Sequence, residues 1–266
     1  MLKFPENFSE ARVLIVNDDG IHAEGIKVLE EIMLKITPNV WVVAPENQKS
    51  AVGHSLTIHQ PLRIKEYDEK HVSVYGTPTD STLVGVQKVM RDFKPDLILS
   101  GINHGQNTAD DVTYSGTISA AMEGAILEVP SIALSQELEN EGMMTKQDID
   151  WNIARENLPK LLKKLAGVEI EDNIVLSVNF PYRRAGIKPE LRAIAQGHFS
   201  LKDQDMIDCI DPRGRPYFWI GPPPKRDLMD KEVDVGVLSL GHITITPLSL
   251  NLTHEPTIKF LKGVFK

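Results

Sequence analysis

The chain has 266 residues, a length that suits one large α/β domain or one domain with an appendage. Its formal net charge of −8 argues against a general binder of DNA or RNA, because an acidic surface repels the phosphate backbone. The single cysteine, Cys209, rules out an internal disulfide and a Cys-rich metal site. The first residues do not resemble a secretory signal, and no run approaches the roughly 18 apolar residues of a membrane helix. We therefore expect a cytoplasmic protein with no membrane partner.

Short β-rich runs alternate with helical patterns through the first half of the chain. Apolar runs predict strands at Val13–Val16, Val40–Val43, Leu97–Leu99 and Ser131–Leu134. Apolar spacing predicts helices over Ile26–Ile36, from a cap at Thr79 or Asp80 to about Phe93, and over Thr117–Leu127. This alternation with short links predicts an α/β fold, in which helices cover both faces of a parallel sheet.

The second half of the chain is less regular. A helix is predicted over residues 148–165, and strands are predicted at Asn173–Phe180, Tyr217–Ile220, Val233–Val237 and His242–Thr246. Turn-rich stretches separate the later strands. We expect residues 1–197 to form the core, and residues 198–266 to form a hairpin and an extended arm used in oligomerisation rather than an independent domain.

Asn17, Asp18, Asp19 and Gly20 follow the first predicted strand directly. Two adjacent carboxylates repel each other unless a positive charge lies between them, and a metal ion or a basic side chain would supply that charge. A turn with Asp caps for the next helix explains the same residues, because Asn, Asp and Gly are common turn formers. The segment by itself leaves both interpretations open.

Two further polar segments follow the next predicted strands, one containing Ser50 and one containing Asn103 and Asn107. Each alone fits an ordinary polar turn. Ligands bind at the carboxyl ends of the strands in sheets of this kind, so three such ends would place oxygen donors at one edge. Carboxylate, hydroxyl and amide oxygens suit Mg²⁺ or Mn²⁺ better than zinc. His22, His54 and His104 are nearby in sequence, and each alone is more typical of a structural or exposed histidine than of a ligand.

Ser115, Gly116 and Thr117 precede the Ala-rich predicted helix. Free backbone N–H groups at a helix start bind anions, and small hydroxyl residues with a Gly favour such a site. Simple N-capping by Ser115 or Thr117 explains the pattern equally well. Asp110 and Asp111 are interpreted as a solvated acidic pair.

These segments, in this order, resemble the SurE family of 5′/3′-nucleotidases, also called survival proteins. The matching stretches are VLIVNDDGIHAEGI, VVAPENQKSAVGHSLT, GTPTDST, PDLILSGINHGQNTADDVTYSGTISAAMEG, VNFP, DPRGRPYFWIG and GHITITPL. They extend over nearly the whole chain. The resemblance implies a Rossmann-like three-layer core, one divalent cation per subunit (Mg²⁺ or Mn²⁺), and a homodimer or homotetramer held by the C-terminal region.

The resemblance also implies site residues. The metal ligands correspond to Asp18, Asp19, Ser50 and Asn103, and the surroundings of the substrate phosphate correspond to Asn107, Ser115, Gly116 and Thr117. The sequence departs from the family pattern at Ala51, where Gly is expected, and at Ser81, where Cys is frequent.

The resemblance implies hydrolysis of nucleoside 5′- and 3′-monophosphates to nucleoside and phosphate. Asp18 or Asp19 would orient water or accept its proton, and donors near Ser115–Thr117 would stabilise the phosphoryl charge. An aspartyl-phosphate intermediate ranks second, because the usual nucleophile motif spaces its aspartates by one residue and here they are adjacent.

Three alternatives remain open at this point. A phosphorelay receiver also has an acidic pair after its first strand, but it needs an acceptor aspartate at the end of the third, where this chain has Leu99, Ser100 and Gly101. A non-catalytic nucleotide-binding protein could retain the fold and the metal. An exopolyphosphatase-type hydrolase, or an enzyme acting on oligonucleotide ends, would use the same site, although the acidic surface disfavours long polyanions.

Overall fold

The computed structural model describes residues 1–139, 149–198, 206–221 and 231–265. Its strands are β1 (Leu2–Lys3), β2 (Val13–Val16), β3 (Val40–Pro45), β4 (Ile64–Glu66), β5 (His71–Val74), β6 (Leu97–His104), β7 (Ser131–Gln136), β8 (Glu169–Ile170), β9 (Ile174–Phe180), β10 (Leu191–Ala193), β11 (Met206–Ile210), β12 (Pro216–Ile220) and β13 (Ile243–Ser249). Its α-helices are α1 (Glu24–Leu34), α2 (Pro78–Val84), α3 (Gly116–Ile126), α4 (Asn152–Leu165), α5 (Asp234–Ser239) and α6 (Glu255–Val264).

A nine-stranded sheet in the order β10-β13-β9-β7-β6-β2-β3-β5-β4 forms the centre of the described chain. Within the sheet, neighbouring strands in the series β9-β7-β6-β2-β3-β5 pair in parallel. Strand β13 runs antiparallel to β9, and β4 runs antiparallel to β5. The expected α/β fold with a parallel core is therefore confirmed. The two antiparallel pairs lie towards the edges of the sheet, where such strands are common in mixed sheets.

Helices cover both faces of this sheet, because its central strands are apolar on both sides. In β2, Val13 and Ile15 belong to the apolar cluster that packs with α1 and α4, and Leu14 and Val16 belong to the cluster on the α2 side. All four side chains are buried. A continuous apolar run of this kind is typical of a parallel strand covered twice, and the result is three layers.

Several predicted elements differ in the structure. The predicted strand Val233–Val237 is instead the short helix α5, because the carboxylate of Asp234 is buried and accepts hydrogen bonds from the backbone N–H groups of Ala109 and Gly197. The helix after residue 77 starts from a capping box in which Thr77, not Thr79 or Asp80, is the N-cap, and a π-helical turn over Gly85–Val89 follows it. The contacts of Asp234 reach residues 125 and 37 positions away, and a local apolar pattern does not show them.

The boundary expected at residue 198 does not separate the core from an arm. Strand β13 lies inside the central sheet, between β10 and β9. Strands β11 and β12 form a separate antiparallel pair, and α6 has no buried residue. The segments 199–205 and 222–230 of the predicted arm, and residues 140–148 at the start of the predicted helix 148–165, lie outside the described residues. No helix in the described ranges is long and apolar enough to cross a membrane.

Candidate functional site

The carboxyl ends of three adjacent parallel strands open into one cleft of about 310 Å³. Asp18 and Asp19 follow β2, Ser50 lies in the loop after β3, and Asn103 is near the end of β6. Since β6, β2 and β3 are neighbours, the structure brings these four predicted residues to the same cleft. Asn103 belongs to a strand rather than to the polar turn that its sequence suggested.

Asp18 is the most buried acidic group of the cleft, with only 5% of its surface exposed. Burial, and after it the neighbouring charge of Asp19, raises the pKa of Asp18 to about 7. Hydrogen bonds from Thr117 oppose this change, including one of 2.5 Å from its hydroxyl to Oδ1 of Asp18. Asp18 is therefore held in a fixed orientation and is close to its protonation midpoint at neutral pH.

Asp19 is also partly withdrawn from solvent. Burial raises its pKa, while the charge of His104 and a hydrogen bond from the His104 backbone lower it. That N–H lies 3.3 Å from Oδ2 of Asp19. Among the described residues that line the cleft there is no Lys or Arg, and His104 is the one side chain there that can carry a positive charge.

Ser50 and Asn103 add neutral oxygen atoms to this acidic pair. Asn103 donates through its amide nitrogen to the carbonyl of Gly105 at 2.9 Å, which leaves its carbonyl oxygen as the atom that can bind a cation. Gln48 donates to the hydroxyl of Ser50, also at 2.9 Å. In the described chain no three His, Cys, Asp or Glu side chains cluster as metal ligands. A cation at this cleft would depend on two carboxylates completed by neutral oxygens, a donor set that suits Mg²⁺ or Mn²⁺.

The loop that carries Ser50 is anchored at both sides of the cleft. The N–H of Lys49 donates to the carbonyl of Asp18 at 2.8 Å, and the N–H of Gly53 donates to the carbonyl of Tyr114 at 3.2 Å. Ala51 has a φ of 55°, in the left-handed region that Gly adopts most easily. This φ agrees with the Gly that the resemblance leads us to expect at this position, and Ala51 adopts the same turn.

The start of α3 packs directly against Asp18. Ser115 caps the helix by accepting a hydrogen bond of 3.1 Å from the N–H of Ile118, and it also lines the cleft. A Cβ atom on Gly116 would lie 2.7 Å from Cβ of Asp18, so only Gly fits at this contact. Thr117 is fully buried and uses its hydroxyl on Asp18, so it contacts the acidic pair rather than the open cleft.

Asn107 is held at the cleft by residues whose role the sequence did not reveal. Its backbone N–H donates to the side chain of Asn179 at 2.8 Å, and its amide nitrogen donates to the hydroxyl of Ser135 at 2.9 Å. Asn179 returns a hydrogen bond of 3.1 Å to the Asn107 carbonyl. The clue in the sequence was a polar residue, Asn179, near the end of a predicted apolar strand. In the structure Asn179 is fully buried near the end of β9.

Comparison with known proteins agrees with this arrangement. The profile of the family described as Survival protein SurE matches residues 13–202. The chain belongs to the SurE family. The matched segment begins at the first residue of β2 and includes every cleft residue described above.

Relatives resemble the SurE chain over nearly its whole length. A protein of Paramagnetospirillum magneticum named 5′-nucleotidase SurE is 44% identical over 257 residues, which cover 97% of this chain and 96% of the relative. Another of that name, from Brucella anthropi, is 46% identical and covers 91% and 92%. The crystal structure of the SurE protein from Aquifex aeolicus superposes with a TM-score of 0.80 at 35% identity, covering 96% of this chain and 99% of that one.

Proposed function

We propose that this protein is a divalent-metal-dependent phosphomonoesterase that hydrolyses nucleoside 5′-monophosphates, and also 3′-monophosphates, to nucleoside and phosphate. The observation that carries the proposal is the pair of adjacent carboxylates, the buried Asp18 and the half-buried Asp19, in a cleft that also receives the N-terminal end of α3. The name 5′-nucleotidase, borne by relatives that match most of the chain, supports the choice of substrate.

One Mg²⁺ or Mn²⁺ ion fits the residues of the cleft. Asp18, Asp19, Ser50 and Asn103 would hold it, because they combine two carboxylates with a hydroxyl and an amide oxygen, and no Lys or Arg is among the described cleft residues. When bound, the cation supplies the positive charge that stabilises phosphoryl transfer. Without that charge, burial and then the repulsion from Asp19 raise the pKa of Asp18.

The protein's own groups position the phosphate and the attacking water. The phosphate would lie against Ser115 and the first N–H groups of α3, at the positive end of the helix, with Asn107 on the other side. Gly116 lets Asp18 pack against the start of α3, and Thr117 orients the carboxylate of Asp18. Asp18 or Asp19 would orient the attacking water or accept its proton.

The test is phosphate release from a panel of 5′- and 3′-monophosphates, with Mn²⁺, with Mg²⁺ and with a chelator. We expect release that depends on the metal and is abolished in Asp19→Ala, while the exposed control Asp92→Ala retains it. Full activity in a folded Asp19→Ala protein would refute the site. Release from short polyphosphate but not from nucleotides would favour an exopolyphosphatase-type hydrolase, and nucleotide binding with no release would favour a non-catalytic binding protein.

We further propose that the protein is a homodimer or homotetramer held by the pair β11–β12. This hairpin exposes apolar side chains on both strands: Ile207 is 47% exposed, Ile210 74%, Phe218 60%, Trp219 60% and Ile220 76%. Exposed apolar surface of this density on a two-stranded ribbon is typical of an interface. Helix α6, which buries none of its residues, offers a second such surface.

A further inference from the structure

One aromatic side chain lies at the cleft without an assigned role. Tyr114 lines the cleft beside Ser115, and 56% of its surface is exposed. Among the described residues that line the cleft, none of the others is Phe, Tyr or Trp. A large aromatic ring that remains open to solvent next to a polar cleft is a candidate contact for a flat, apolar part of a ligand.

The backbone of Tyr114 is fixed, although its ring is open. Its N–H donates to the carbonyl of Asp111 at 3.0 Å, and its carbonyl accepts from the N–H of Gly53 at 3.2 Å. These bonds join the 3-10 turn over Ala109–Thr113 to the loop that carries Ser50. Within the described ranges, no ring contact or side-chain hydrogen bond involves the Tyr114 ring, so the ring remains available to a ligand.

Tyr114 directly precedes Ser115, the residue that caps α3, where the phosphate is proposed to lie. Tyr114 is adjacent to Ser115, so their Cα atoms are about 3.8 Å apart. The ring therefore lies within the length of one nucleoside from a phosphate held at the start of α3. We propose that Tyr114 stacks on the base of the bound nucleotide and thereby selects nucleotides over phosphate monoesters that lack a base. The inference rests on the proposed function and deepens it.

Stacking has a definite consequence for specificity. Every base presents a π face, so stacking on an aromatic ring tolerates exchange of one base for another. The side-chain amide of Gln48, which also lines the cleft, can both donate and accept hydrogen bonds and so does not demand one base edge. The site should distinguish a nucleotide from ribose 5-phosphate more strongly than it distinguishes adenine from cytosine.

The experiment compares Tyr114→Ala, Tyr114→Phe and the wild-type full-length protein on AMP, CMP and ribose 5-phosphate at saturating Mn²⁺. Tyr114→Ala should raise KM for AMP and CMP about tenfold, the size expected for one lost base–aromatic stack, and leave kcat/KM for ribose 5-phosphate within twofold. Tyr114→Phe should behave like the wild type, because it keeps the ring. Tyr75→Ala is a control at an exposed Tyr that does not line the cleft, and it should leave the kinetics on nucleotides and on ribose 5-phosphate unchanged.

Equal losses on nucleotides and on ribose 5-phosphate would overturn the inference, because they would show a structural role for Tyr114. Unchanged kinetics on all three substrates would also overturn it. If the wild type releases phosphate from none of the three substrates, the proposed function is refuted, and the role of Tyr114 has to be tested by binding. Titration calorimetry of AMP with the wild type and Tyr114→Ala in Mn²⁺ then decides: a tenfold loss of affinity supports stacking, and equal affinity refutes it.

Discussion

The hydroxyl of Thr117 donates a 2.5 Å hydrogen bond to Oδ1 of Asp18, although the two residues are 99 positions apart in the chain. The bond joins the end of the central strand β2 to the first turn of α3. It orients a buried carboxylate and favours its charged form, which burial disfavours. The geometry of the acidic pair therefore depends on a helix that follows four strands later in the chain.

Thr117→Val removes this hydrogen bond but keeps the shape of the side chain. We expect the affinity for Mn²⁺ and kcat/KM each to fall about tenfold or more at neutral pH, since a hydrogen bond to a charged group contributes about 1.5–3 kcal/mol. Thr117→Ser keeps the hydroxyl and should stay within about threefold of the wild type. Titration calorimetry with Mn²⁺ and phosphate release measure the two quantities. Equal behaviour of the Val and Ser variants would show that the hydroxyl does not orient Asp18.

Asp18→Asn should stabilise the metal-free protein while it abolishes activity. Because the folded-state pKa of Asp18 is raised to about 7 from 3.8, its contribution to stability is fully present below about pH 4 and is lost as the pH rises to about 7. Above that pH, Asp18 is buried in its unfavourable charged form. We expect the variant to gain roughly 1–3 kcal/mol in free energy of unfolding at pH 8, measured by urea denaturation with chelator.

Asp96→Asn is the matched control, because we expect it to lower the free energy of unfolding at pH 8, whereas Asp18→Asn should raise it. Its hydrogen bonds with Arg12 lower the pKa of Asp96, so its charged form stabilises the fold above the pKa of the unfolded chain, near pH 4. The pair is partly exposed, so the loss at pH 8 should be within about 1 kcal/mol. If Asp18→Asn is destabilising at pH 8 in the absence of metal, the assignment of a raised Asp18 pKa is wrong.

Gly116→Ala should damage the site more than its small size suggests. The added Cβ would meet Cβ of Asp18 at 2.7 Å, so either the carboxylate or the start of α3 has to move. We expect about 1–3 kcal/mol of destabilisation and at least a tenfold loss of activity. Gly263→Ala, where nothing lies within 4 Å of the added atom, should be neutral or slightly stabilising. Thermal unfolding and phosphate release test both variants, and similar results for the two would contradict the close contact.

Trp219→Glu tests the hairpin interface. Trp219 lies directly opposite Ile207 in the β11–β12 pair, so a charge here falls on the proposed contact surface. We expect sedimentation analysis to show a smaller assembly than the wild type, whereas Leu34→Glu, a change at an isolated exposed residue of α1, should leave the assembly intact. A wild type that is monomeric at micromolar concentration would contradict the interface itself.

The sequence by itself determined the central strands and the positions of the candidate metal ligands. Val13–Val16 is apolar on both faces, and such a run has few alternatives to a parallel strand covered twice. Once that strand and its neighbours β3 and β6 are parallel, the polar residues after each one reach the same edge of the sheet. Asp18, Ser50 and Asn103 therefore share a cleft for a reason that the sequence pattern contains.

Only the tertiary structure decided how these residues are supported. Residues 233–237 look like a strand locally, yet they lie mostly in α5, because the buried Asp234 is satisfied by backbone groups far along the chain. From the sequence alone, Thr117 could cap a helix or help to bind an anion. In the structure, its hydroxyl instead donates a hydrogen bond to Asp18. The raised pKa of Asp18 likewise arises from burial by the packed fold. Periodicity reports local burial, whereas hydrogen bonds and desolvation depend on which distant segments the fold brings together.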